Sequence, residues 1–230
     1  MGGFAWALAG FVIIHIGVSA TGLRAALVRM IGEWPYRAVF SLVSLGLLIW
    51  LVQAYGAMRG DPFDPLNETM WLPPDWLRWP AFALAIFAVA LAVTGLLTPG
   101  PTLAGFEKAG LARAEPAHGV LRITRHPFLW GIALWGVAHL MTNGERFAIM
   151  LFGGLAAMVI FGARSIDRKG AARDPEGWAR FADVTSNAPF AAIVQGRNRL
   201  DLGEIGWRGL AGFAAAFAIA WYHGQIPGLS

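Results

Sequence analysis

The chain has 230 residues, 57% of them hydrophobic and 14% charged, with a formal net charge of +4 and no cysteine. A soluble domain carries about 25% charged residues, so the composition excludes an ordinary water-soluble globule. The missing cysteine excludes disulfides, thiolate metal sites and cysteine-ligated haem.

Six runs almost without charge follow one another, at 4–23, 39–58, 80–99, 128–143, 147–163 and 210–223. Each is long enough, or nearly so, to cross a hydrocarbon layer of about 30 Å. They predict an all-α integral membrane bundle of about six transmembrane helices, a single domain over 1–230 without internal repeats. The first run has no Lys or Arg before it and no small-residue cleavage site ahead of a soluble domain. It reads as a retained helix, not a signal peptide. The run 128–143 is the shortest and reads as tilted or partly re-entrant.

His15 lies inside the first run and is the most deeply placed ionisable residue of the chain. Ionisable groups at membrane depth are costly and mark function. Ser19, one helical turn on, is placed to orient its ring. Counting helical rise back from Arg24 and Arg29 puts His15 roughly 14–20 Å above the inner boundary.

The connection 60–79 is rich in Pro, Asp and Trp, including Trp71, Trp76 and Trp79. It reads as an aromatic belt at the outer interface, or as a lid over a lipophilic pocket. His118, in a later connection, and His223, at the end of the last run, read as structural or interfacial.

The block Arg122-Ile123-Thr124-Arg125-His126-Pro127 leads into the fourth run. Proline disfavours helical geometry in the residue before it and favours the first helical position. The helix therefore starts at Pro127, with His126 at its cap. Arg122 and Arg125 stand beside the free N–H groups of that start, a candidate anion site for a carboxylate, a phosphate or a lipid headgroup. His139 comes thirteen residues after His126, roughly 20 Å further along and on nearly the opposite face. Trp135 and Gly136 precede it by a turn. His15 and His139 thus come to similar depth from different helices. Two neutral imidazoles suit the axial positions of a haem iron and are too few for a structural zinc.

Charge sets the orientation. If the connections 24–37, 100–126 and 164–208 share one side, that side holds all of the 18 Lys and Arg residues except Arg59, Arg78 and Arg146. Such a bias marks the cytoplasmic face. The expectation is a bacterial inner-membrane protein with both termini periplasmic. Its partner is the lipid bilayer; the net charge needs no nucleic acid, and the basic face suits anionic lipid. Within the long inner connection, 175–183 reads as a short amphipathic surface helix.

An ordered set of motifs carries a family resemblance. It comprises the His15 helix, Gly32-Glu33-Trp34-Pro35-Tyr36-Arg37 entering Ser41 to Leu45, and the Arg122–Pro127 block. It continues with Trp135 to Leu140, Asn143-Gly144-Glu145, Asp167-Arg168-Lys169 and Thr185-Ser186-Asn187-Ala188-Pro189-Phe190. With these the chain resembles the NnrU family of membrane proteins. The resemblance implies either a link to bacterial nitrite and nitric oxide metabolism (denitrification) or an activity like that of zeta-carotene isomerase, which uses histidine-ligated haem b to isomerise a central cis double bond. Carried over, it implies haem b on His15 and His139, with His126 as alternative partner, and a small lipophilic or gaseous substrate. The Arg-His-Pro block also resembles isoprenylcysteine and phospholipid methyltransferases, in which Arg122, Arg125 and His126 would face S-adenosylmethionine. Those enzymes usually carry paired acids where this chain has Asp167 alone. A third reading is a non-enzymatic haem sensor or accessory subunit with a membrane protein partner.

Overall fold

The computed structural model describes residues 2–19 and 21–224, and the regular elements among them are all helical. In chain order they are α1 (Gly2–Ile13), continued by a π-helical turn (Ile14–Val18), α2 (Gly22–Ile31), α3 (Glu33–Arg59), α4 (Arg78–Leu96) and α5 (Glu107–Leu111). There follow α6 (Pro127–Leu140), α7 (Arg146–Arg173), α8 (Pro175–Asp183), α9 (Ala191–Val194) and α10 (Leu202–His223).

Among the described residues three helical stretches are long and apolar enough to cross a membrane, Glu33–Arg59, Asp75–Leu96 and Arg146–Arg173, or four if the bent pair Gly3–Val18 and Gly22–Ile31 is one span. The first apolar run is not one straight helix. After the π turn the chain bends by 80° into α2, where the Thr21 hydroxyl accepts a hydrogen bond from Leu23 N–H and starts a new helix. Counting helical rise from Arg24 or Arg29 back to His15 therefore overstates its height, because α2 does not continue the same axis. The apolar helix α6 has only 14 residues. α10 is kinked at Gly206, whose φ of 49° and ψ of −137° are open to glycine alone. The positions expected for both termini fall at Met1 and 225–230, outside the described residues.

α4 is the centre of the bundle, with α6 on one side and α10 on the other; α7 packs on α6, and α1 lies between α3 and α7. Small residues allow the close crossings, the usual device where lipid replaces water and the hydrophobic effect cannot draw helices together. A Cβ on Gly131 of α6 would meet the Ala92 Cβ at 2.6 Å and the Ala88 carbonyl at 2.7 Å. One on Gly212 of α10 would meet the Thr94 hydroxyl at 2.5 Å. A separate apolar cluster joins Phe4, Leu8 and Phe11 of α1 to Leu51 of α3 and to Phe147 and Phe152 of α7.

The connection 60–77 does not contribute to the cavity described below. It docks on the turn between α6 and α7: Met70 N–H donates to Gly144 O (2.7 Å), Arg146 N–H to Glu68 O (3.0 Å), and the Arg146 and Glu68 side chains pair. α8 forms as expected, with Trp178 and Phe181 buried against Leu111 and Leu121 and Arg180 facing out.

Candidate functional site

Two polar centres and one apolar cavity carry the chemistry-bearing side chains. Pro127 opens α6 and His126 is non-helical (φ −123°, ψ 57°), as the Arg-His-Pro order dictates. The His126 ring is buried, with Nε2 2.6 Å from Asp167 Oδ1 on α7. A carboxylate only accepts, so Nε2 carries the hydrogen. Nδ1 is buried without a hydrogen-bond partner among the described residues. Arg125 completes the group through Nη2 to Asp167 Oδ2 at 2.7 Å. The loop 185–190 is tied to the same point: Trp130 Nε1 donates to Asn187 Oδ1 (2.9 Å), Arg125 N–H to Ser186 O (2.9 Å) and Phe190 N–H to Ile123 O (2.7 Å).

Arg122 forms the second centre. Its Nε and Nη2 each reach a Glu204 oxygen at 2.7 Å, and Nη1 donates to Asn198 Oδ1 at 2.7 Å. The Arg122 hydrogen bonds, with help from Gly119 N–H, pull the Glu204 carboxyl down to about 2 against the opposing effect of burial. Both guanidinium groups expected to wait for an anion at the α6 start are thus already matched by carboxylates of the chain, Arg125 by Asp167 and Arg122 by Glu204. Nearby, burial pushes the His118 imidazole below its ordinary value, and the Arg113 charge adds to this.

His139 sits elsewhere. Its Nδ1 lies 2.9 Å from Trp135 O, so Nδ1 carries the hydrogen and Nε2 keeps its lone pair. Trp135 and Phe152 hold the ring, with centroids 4.3 and 4.7 Å away. The imidazole lines a cavity of about 240 Å³ between α4, α6 and α10, walled by Ala81, Ala85, Ile86, Ala216 and Ala220. His223 lines the same cavity, and the two imidazole centroids are 6.2 Å apart.

His15 is not part of this cavity. Its Nδ1 meets Phe11 O at 2.7 Å, its Nε2 the Ser44 hydroxyl at 3.3 Å, and its ring packs on Phe11 and Phe40. Ser44 of α3, not Ser19, orients it. Along α7, Phe147 faces Phe4 and Lys169 reaches the Ser19 carbonyl. Helical rise between those marks sets His15 roughly 9–20 Å nearer the inner side than Phe152 and the His139 stacked on it. The expected meeting of His15 and His139 at one depth does not occur, because the bend after Val18 ends the first helical path early. No hydrogen bond or ring contact joins them among the described residues.

A family pattern described as NnrU protein matches residues 3–230. The chain belongs to the NnrU family. Its relatives include two proteins named 15-cis-zeta-carotene isomerase, chloroplastic. That of Zea mays is 30% identical over 190 residues, 83% of this chain and 50% of the relative. That of Arabidopsis thaliana is 31% identical over 191 residues, again 83% and 50%. This NnrU chain spans about half the length of these relatives. No solved structure matches it.

Three residues of the site were not recognised from sequence. Asp167 stood out as a lone acid, but nothing local said that it meets His126. Asn187 lay in the Thr185–Phe190 motif without a partner. His223 lay 84 positions from His139 (223 − 139), too far for any spacing rule.

Proposed function

We propose that this NnrU-family protein is an integral membrane isomerase that acts on a cis double bond of a long conjugated polyene such as zeta-carotene, with haem b held at the His139 cavity. Likeness to two proteins named 15-cis-zeta-carotene isomerase over 83% of the chain carries the reading. In this reading the chain crosses a bacterial inner membrane six times. α1 with its π turn, α6 and α10 add to the three long spans, and the Lys/Arg-rich connections lie in the cytoplasm.

His139 and His223 both line the cavity, with ring centroids 6.2 Å apart, and are the two imidazoles that would be available there to hold the group. His139 is the firmer ligand, because its Nδ1–H is committed to Trp135 O and Nε2 is left for the metal. His15 would take the place of His223 only if α1 moved by more than a helical turn. His126 is committed to Asp167 and does not face the cavity. The cavity, about 240 Å³, is below the ~300–1,000 Å³ of small-molecule sites. α10 must therefore move away from α4 and α6 to admit the group.

A bound haem would supply an iron that draws π-electron density from the polyene and lowers its rotation barrier. The chain supplies the rest. Trp135 and Phe152 fix the His139 ring, and the mainly apolar lining accepts a hydrocarbon. Isomerisation adds and removes no atoms, so it asks no proton transfer of the two imidazoles that line the cavity. The methyltransferase reading loses its anion site, since Arg122 and Arg125 are both paired.

The test is an oxidised and dithionite-reduced absorption spectrum of the full chain expressed with added haem, followed by chromatography of 15-cis-zeta-carotene incubated with it. A stoichiometric Soret band abolished in His139→Ala, with conversion of the cis isomer, is the expected result. Absence of haem, or a spectrum indifferent to His139, overturns the reading.

A further inference from the structure

A cleft of about 640 Å³ opens on the Lys/Arg-rich side, between the 114–117 loop, the end of α8 and the 196–199 loop. Four arginines line it: Arg122, Arg180, Arg197 and Arg199, against Glu115 and Asp183. They differ in state. Arg122 is neutralised by Glu204 and forms a fixed wall. Arg197 is anchored on the carbonyls left open at the end of α8, donating to Thr185 O at 2.9 Å and to Ala182 O at 3.3 Å, with Nε and Nη2 on Gln195. These acceptors are neutral, so its charge is held in place but not cancelled by a carboxylate. The Arg180 and Arg199 side chains are exposed, and neither guanidinium makes a hydrogen bond or ion pair among the described residues; Arg199 is held through its backbone N–H, which donates to Asn198 Oδ1 at 2.7 Å. Val194, Leu200 and Leu202, within two or three residues of the 196–199 lining in sequence, are exposed, Val194 by 84% and Leu202 by 72%.

We propose that this cleft binds the phosphate-bearing headgroup of an anionic phospholipid of the inner leaflet, with Arg180 and Arg199 on the phosphate, Arg197 as a fixed charge behind it, and Leu200 and Leu202 against the acyl chains. A soluble phosphate ligand would share the arginines but has no use for an exposed leucine ledge, and the ledge favours the lipid. The arrangement also gives a reason for two unpaired cations to be kept beside a cleft instead of being matched, as Arg122 is. Each arginine near an anionic surface is worth about five-fold in affinity, so removing both lowers binding about 25-fold.

The test uses the full chain in neutral detergent, titrated with phosphatidylglycerol, phosphatidylcholine or inorganic phosphate, and reads thermal unfolding and lipid retained in native mass spectra. Expected is a phosphatidylglycerol-dependent rise in Tm and one retained lipid, both lost in Arg180→Gln/Arg199→Gln and kept in Arg29→Gln, a basic residue of the same side outside the cleft. Equal stabilisation by phosphatidylcholine overturns the proposal. So does equal loss in Arg29→Gln, which would mean diffuse surface charge. Stabilisation by millimolar inorganic phosphate alone, without lipid retention, overturns the lipid assignment in favour of a soluble phosphate.

Discussion

His126 and Asp167 are 41 positions apart in sequence (167 − 126), yet their Nε2 and Oδ1 atoms lie 2.6 Å apart. Through this bond the start of α6 is fixed to the C-terminal part of α7, and Arg125 cancels the carboxylate charge at 2.7 Å. The His126 ring is buried and Asp167 is largely so, at 1% and 21% side-chain exposure.

Loss of one partner leaves the others stranded. Asp167→Ala exposes the Arg125 charge and the His126 Nε2–H to an apolar setting, a change that costs about 3–5 kcal/mol for a buried pair. Thermal unfolding in detergent should show a fall of many degrees. Asp167→Asn, which can still accept from His126, should lose less. A Tm within a degree of the parent for Asp167→Ala would remove the network from the list of what holds α6 to α7.

The Arg122–Glu204 pair predicts acid sensitivity with a definite sign. The folded Glu204 carboxyl is held at about 2, against an ordinary value of 4.5. A depressed carboxyl pKa contributes stability that is fully present above the ordinary value and lost as pH falls from 4.5 toward 2. Glu204→Gln should therefore flatten the Tm-against-pH curve in that window while lowering the plateau above it. Unfolding curves at closely spaced pH values check this; an unchanged slope would mean the pair is too solvated to matter.

Glycine positions on α6 and α7 should respond oppositely to the same substitution. Gly131→Ala places a methyl within 2.6 Å of the Ala92 Cβ, so α6 must move off α4, at about 1–3 kcal/mol. Gly153→Ala meets nothing within 4 Å and should gain about 0.5–1 kcal/mol from helix propensity. Paired unfolding curves decide it.

Much of the fold is legible in the residues themselves. Pro127 sets the start of α6 by its ring geometry, and the Trp178 and Phe181 spacing announces the buried face of α8. The apolar stretches within α3, α4 and α7 declare themselves by length. What is hidden is direction and partnership. The run 4–23 looks continuous in hydropathy, which does not register that Thr21 caps a new helix at an 80° bend. Arg122 and Arg125 look like free cations because Glu204 and Asp167 are distant in sequence, and charge pairing across the bundle leaves no local pattern. His223 joins His139 only because Gly212 lets α10 press against α4.

The separation of His15 and His139 makes a last, quantitative prediction. His15 touches Phe11, Phe40 and Ser44 and His139 touches Trp135, Phe152 and His223, so no side chain touches both, although Phe11 and Phe152 belong to one apolar cluster. Sites that far apart without shared partners add within about 0.3–0.5 kcal/mol. The double variant His15→Ala/His139→Ala should therefore lose the sum of the two single losses, whereas His139→Ala with His223→Ala should deviate from additivity. If the protein takes up haem as proposed, the same cycle reads the ligand pair directly. If His223 is the second ligand, His15→Ala leaves the reduced spectrum unchanged and His223→Ala alters it. The reverse pattern would mean that haem binding draws α1 outward, and α1 would then be the mobile element of the site instead of α10.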